Sequence, residues 1–119
     1  MPALGQSDYD AGWVYIAVSR KLGPGLYKIG LSRHLKSRCD SLNRKSYLGY
    51  SDWYIAHYRS VSSMRAVEWR LHECLGVPYQ TEEGGTEREV FKVPYPKAVR
   101  YLDKFSKHFK PAYPVGSPF

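Results

Sequence analysis

The sequence is short of most features that would announce a chemistry. Its two cysteines, Cys39 and Cys74, are far apart and form no C-x-x-C pair, which argues against a disulfide framework. Both read as small hydrophobes near helix core positions in a reduced compartment. A zinc site from His34, Cys39, His72 and Cys74 would match no familiar ligand spacing and is not expected. No apolar run approaches the ~20 residues of a membrane-spanning helix. The opening MPALGQSDYDAG has neither a basic n-region nor an apolar h-region, so it does not read as a signal peptide. A cytoplasmic, intracellular protein with no membrane partner is expected. Acids are scarce, at 11 Asp+Glu against 18 Lys+Arg, for a formal net charge of +7. That imbalance predicts attraction to a polyanion, with nucleic acid the commonest candidate.

What is present suits one globular domain. The 119 residues are 43% hydrophobic and 24% charged, enough for a single core of modest size. Residues 1–11 are polar and read as a flexible N-terminus, residues 12–109 as the domain, and 110–119, KPAYPVGSPF, as an irregular Pro-rich tail. GWVYIAV (12–18) and LYKIGL (26–31) read as two strands joined by a wide Gly-Pro-Gly turn. Alternation puts Trp13, Tyr15 and Ala17 on one face of the first, and Val14, Ile16 and Val18 on the other. In the second, Tyr27, Ile29 and Leu31 share a face, while Lys28 and Gly30 point the opposite way.

Ser32 reads as the N-cap of a helix over about 33–44, with Leu35, Cys39 and Leu42 as its stripe and Arg38 on or beside that stripe. A third strand is expected over 52–61. A second helix follows from Ser62 to about Leu75, with Met64, Val67, Leu71 and Leu75 as its stripe. Glu68 borders that stripe and His72 lies one turn on. After an acidic loop (81–89), EVFKV (89–93) reads as a short strand. A last helix starts at Pro96, with Ala98, Tyr101, Leu102, Phe105 and Phe109 inward. The order ββαβα, then a short strand and a helix, predicts a small α/β (α+β) sandwich: a central antiparallel or mixed three-stranded sheet flanked by helices.

Charge is clustered. Between Ser19 and Ser46 stand Arg20, Lys21, Lys28, Arg33, Lys36, Arg38, Arg44 and Lys45 against the one acid Asp40, whereas Glu82, Glu83, Glu87 and Glu89 gather in the late loop. Clustering of this kind favours a phosphate-facing surface over ordinary solvated lysines. The tyrosines and tryptophans read mostly as strand and core residues.

G-W-V-Y (Gly12–Tyr15) followed by Y-K-I-G (Tyr27–Gly30) resembles the paired motifs of the GIY-YIG nuclease superfamily. Ser32 follows the second motif and Arg38 stands eight residues after Gly30. A-V-E-W-R-L-H (Ala66–His72) is similar to that superfamily's Glu-bearing helix. E-V-F-K-V resembles the closing segment of its compact, phage-associated branch, and the likeness covers about 12–105. The resemblance implies an endonuclease that hydrolyses nucleic-acid phosphodiesters with one divalent cation, Mg²⁺ or Mn²⁺, held by Glu68. Phosphodiester hydrolysis needs an activated water and compensation of phosphoryl charge. Arg38 would then stabilise the phosphate through its bidentate fork. Tyr15 or Tyr27 would be the base, its phenol lowered by neighbouring cations such as Arg38 and Lys28. His72 would hold a tyrosine hydroxyl or relay a proton. Lys28, Gly30, Arg33, Lys36, Arg44 and Lys45 would bind the strand. The late asparagine of several superfamily members has no counterpart, since Asn43 is the only asparagine and sits elsewhere; either Glu89 would take part instead or that contact is absent. DNA is expected ahead of RNA, and a homodimer stays open. The competing reading is a nucleic-acid-binding module that keeps the fold and basic face but does not cut. Its bland counterparts are Glu68 paired with Arg65 or Arg70, Arg38 covering apolar surface with its stem, and tyrosines that only pack.

Overall fold

The computed structural model of the chain describes residues 11–76, 78–80, 86–110 and 119. The expected flexible N-terminus lies outside them apart from Ala11, as does the tail apart from Lys110 and Phe119, and residues 81–85 of the acidic loop. The elements run β1 (Gly12–Ser19), β2 (Leu26–Ser32), α1 (Leu35–Arg44), a 3₁₀ turn (Tyr47–Gly49) and β3 (Trp53–Val61). Then come α2 (Met64–Leu75), β4 (Pro78–Gln80), β5 (Thr86–Lys92), α3 (Tyr95–Ser106) and a closing 3₁₀ turn (Lys107–Phe109). The α+β class is the expected one. The sheet is wider than expected, with five strands in the order β3-β1-β2-β5-β4, and every pairing is antiparallel. The added strand, β4, is three residues long and begins with Pro78, which suits an edge because proline cannot donate to a ladder.

β1 is buried almost throughout because both faces of the sheet are covered. On one face Val14, Ile16, Tyr27, Ile29 and Phe91 meet the stripes of α2 (Met64, Val67, Leu71, Leu75) and α3 (Ala98, Leu102, Phe105). Each fully buried large aliphatic contributes about 1.5–3 kcal/mol. On the other face Trp13, Tyr15, Ala17 and Trp53 pack with Leu35 and Leu42 of α1. The result is three layers, one helix on one side of the sheet and two on the other.

Several local expectations change. Ser32 ends β2 rather than capping α1; His34 is the N-cap, and Ser32 Oγ accepts from the His34 N–H at 3.0 Å and lies 2.9 Å from the His34 carbonyl. That small turn sets the angle between strand and helix. Asn43 is a clamp: its Oδ1 accepts from Trp53 N–H at 2.7 Å and its Nδ2 donates to Trp53 O at 3.0 Å, anchoring the start of β3. Cys74 is exposed rather than in the core, while Cys39 is half-buried against the Trp53 carbonyl. Asp103 of α3 holds β3 through His57 at 2.8 Å and Arg59 at 2.9 Å. No helix among the described residues is long and apolar enough to cross a membrane.

Candidate active site

The ladder between β2 and β5 ends early. It pairs Leu26, Tyr27 and Lys28 with Lys92, Phe91 and Val90, and β2 continues from Ile29 to Ser32 with no strand partner on that side among the described residues. This stretch of open edge is where the chain collects its unusual polar groups. His72 of α2 reaches the Ile29 carbonyl at 3.4 Å, and its ring lies 4.8 Å from that of Phe91. Glu68, one turn earlier, lines the same side of α2.

Tyr15 of β1 stands opposite Gly30 of β2 and is fully buried. Its ring lies directly over that glycine: a Cβ at position 30 would sit 2.5 Å from Tyr15 Oη and 2.7 Å from Cζ. A side chain at position 30 would therefore collide with the tyrosine where it now lies, and glycine leaves the room for it. Gly30→Ala is expected to displace the phenol and cost about 1–3 kcal/mol of stability, read as a fall in the denaturant midpoint without a change in slope.

Two oxygens here are buried without a hydrogen-bond partner among the described residues, Tyr15 Oη and Glu68 Oε2. Buried polar atoms are nearly always satisfied, so two at one place mark a site rather than a core. Their electrostatics are linked. Burial, reinforced by Glu89, pushes the Glu68 carboxyl up to about 7 against the opposing pull of Lys28, Arg38 and Arg65. Burial also drives the Tyr15 phenol well above its ordinary range, opposed by Arg38 and reinforced by Glu89 and Glu68. The expectation of a phenol lowered by neighbouring cations is thus reversed in the resting chain, because desolvation outweighs the guanidinium. Burial lowers His72 as well and so favours the neutral imidazole, an effect partly offset by the Ile29 carbonyl.

The expected residues divide between this group and elsewhere. Tyr15, Gly30, Glu68 and His72 come together, with Arg38 near enough to act on both Tyr15 and Glu68. Arg38 is exposed on α1, not tucked beside the apolar stripe. Tyr27 is on the opposite face of the sheet. Its hydroxyl accepts from the Gly25 N–H at 3.2 Å and its ring packs edge-on to Tyr95 at 5.3 Å, so strand alternation removes it from the group. Lys28 is on the correct face but only 2% exposed, so it does not present its charge to a passing strand as expected. Its ammonium pairs with Glu89 and lies 4.7 Å from the centre of the Tyr47 ring. Arg33, Lys36, Arg44 and Lys45 are exposed around α1, with Lys36 in a surface pair with Asp40 at 2.9 Å. Sequence reasoning missed Tyr47 and the Lys28–Glu89 pair; nothing local marks either, because the partners of the pair are 61 residues apart.

Among the described residues no group of three or more His, Cys, Asp or Glu side chains could hold a metal ion, so a closed zinc-type cage is absent there.

No curated protein and no solved structure matches the chain. The T5orf172 domain family model matches residues 12–109. This domain is a phage-associated, nuclease-like one, which accords with a nucleic-acid partner. It is a different family from the GIY-YIG superfamily suggested by the strand motifs, and that assignment is corrected by the match. The fragments V-Y and K-I-G are common in strands and carry little family information, whereas the model spans all three layers. The chain belongs to the T5orf172 domain family.

Proposed function

We propose that this chain is an endonuclease that hydrolyses nucleic-acid phosphodiesters, DNA before RNA, with one divalent cation. The observation that carries the reading is the pair of buried, unpartnered oxygens, Tyr15 Oη and Glu68 Oε2, set at an open strand edge beside an exposed arginine. A lone carboxylate oxygen fits Mg²⁺ or Mn²⁺ held mostly by water and substrate phosphate, and Glu68 is the residue that would hold it. When bound, such an ion supplies positive charge to the phosphoryl oxygens and makes the attacking water more acidic.

The chain's own residues do the rest. Arg38 lies free to fork onto a phosphate and carries a permanent charge. Tyr15, fixed by Gly30 beneath its ring, takes the proton of the attacking water from its phenolate form. Neutral His72 fixes the bare edge of β2 through the Ile29 carbonyl, and Lys28 holds Glu89 beside the carboxylate it influences. The start of α1 has no acid in its first turn and no side-chain cap, so its N–H groups and helix dipole favour an incoming phosphate. Arg33, Lys36, Arg44 and Lys45 extend that surface.

The test is to incubate the protein with plasmid, single-stranded DNA and RNA, in Mg²⁺, in Mn²⁺ and in chelator. Cation-dependent cleavage supports the reading. Salt-sensitive binding with no cleavage in either cation would make the chain a binding module instead. Binding also separates the two kinds of lysine. Arg33→Ala and Lys45→Ala should each lower the slope of log affinity against log salt by about 1, the value of one phosphate contact. Lys28→Ala should leave that slope unchanged, because its charge is spent internally on Glu89.

A further inference from the structure

Trp69 is 65% exposed, the largest exposure of any bulky apolar residue described, while Trp13 and Trp53 are buried at 8% and 3%. It follows Glu68 on α2, and the stripe Met64, Val67, Leu71 and Leu75 faces the sheet. Successive helical residues turn by about 100°, so the indole stands one step outward of the carboxylate, and Arg70, Glu73 and Cys74 carry the surface on round α2 towards α3. Beside it lies a cavity of about 350 Å³ lined by Trp69, Arg70, Glu73, Cys74 and Phe105. The guanidinium of Arg70 sits 5.7 Å from the centre of the Phe109 ring, which fixes one side.

The lining selects its occupant. One cation and one carboxylate leave the cavity without net charge, and Glu73 would repel a phosphate or an acidic peptide. An aromatic wall with a hydrogen-bond donor on one side and an acceptor on the other suits a flat, uncharged, polar-edged ring. A nucleobase is such a group, and stacking on an exposed aromatic is the general way unpaired bases are held.

We propose that the cleft beside Trp69 is a subsite for an unpaired nucleobase, stacked on the indole, in the strand whose phosphate lies at Glu68. The inference rests on the nuclease reading for that phosphate and adds the substrate class: single-stranded or locally opened nucleic acid. In an intact duplex both faces of each base are stacked and none is presented to an indole.

Because Trp69 is the sole exposed tryptophan, its emission reports directly on the cleft. The full-length protein is titrated, in chelator and at one salt concentration, with a single-stranded oligonucleotide and with the fully paired duplex of the same sequence. The single strand should quench Trp69 emission and the duplex should not. Trp69→Ala should weaken single-strand binding roughly 5- to 150-fold, the worth of one stacked base, with duplex binding unchanged and Trp69→Phe intermediate. Trp69 is exposed, so the thermal midpoint of either variant should match that of the unmodified protein. Quenching that persists in Glu68→Ala supports the subsite whether or not that variant cuts, and its cleavage is read separately as the test of the nuclease reading. Single-strand binding by Trp69→Ala as tight as that of the unmodified protein overturns the proposal. So does emission that shifts with protein concentration alone, together with a dimer by light scattering that Trp69→Ala dissolves, since a second copy would then fill the cleft.

Discussion

Glu68→Ala is expected to lower single-turnover cleavage at saturating Mg²⁺ by about 10²–10³-fold, the scale on which loss of one preorganised electrostatic group is felt. The carboxylate is half-buried, its Oε2 has no hydrogen-bond partner among the described residues, and it is the one acid that lines the open edge of β2 from α2. Fold stability should not follow activity. A residue that leaves a polar atom unsatisfied costs stability in the resting chain, so Glu68→Met should be neutral or stabilising by about 1 kcal/mol. For a domain of this size 1 kcal/mol is a rise of about 4 °C in thermal midpoint. Lost cleavage with an equal or higher midpoint is the signature of a residue kept for chemistry. Cleavage within threefold of the unmodified protein would remove Glu68 from the site.

The same residue makes a pH prediction with a definite sign. Burial raises the folded carboxyl to about 7, above its ordinary value of 4.5. Between those values the folded state holds a proton that the unfolded state has released. The group's contribution to stability is therefore fully present below about pH 4.5 and is lost as pH rises through about 7. His72, which burial lowers, acts in the opposite sense, with its contribution lost as pH falls. Subtracting the Glu68→Met midpoint from that of the unmodified protein, in chelator, isolates the carboxyl. The difference should become more unfavourable to the unmodified protein from pH 5 to 7.5 and level off above. A flat difference across that range would mean that Glu68 is ionised throughout.

Periodicity made most of the fold legible. The alternation in 26–31 separates Tyr27 from Gly30 within β2, but which face of β1 joins which face of β2 is set by their pairing, and the stripes of α2 and α3 are the buried ones. β4 was not legible because three residues beginning with proline carry no pattern, and they pair only through β5. The site was legible in its residues more than in its energetics. A lysine reads as solvated by default; only the fold brings Lys28 under Tyr47 and against Glu89. Likewise the cations near Tyr15 can be counted in the sequence, but its complete burial cannot, and burial decides which way the phenol moves. Family identity was the least secure reading, since short strand fragments recur in unrelated sheets.

Tyr15→Phe separates packing from chemistry at the same site. Phenylalanine keeps the ring over Gly30 and removes only Oη, which has no hydrogen-bond partner among the described residues, so the thermal midpoint should hold or rise slightly. Cleavage should fall about 10²–10⁴-fold, the range for loss of a general base. The pH profile then identifies the role. With the phenol well above its ordinary range, the reactive phenolate is scarce at neutral pH and grows tenfold with each unit below its pKa. The rate of the unmodified protein should therefore climb about tenfold per pH unit through neutrality, and the residual rate of Tyr15→Phe should lose that slope. Arg38 is the cation that opposes burial at Tyr15, so Arg38→Ala should keep the slope while lowering the rate at every pH. A profile for the unmodified protein that levels off near pH 7 would transfer the proton acceptor from Tyr15 to Glu68, the group whose own titration lies there.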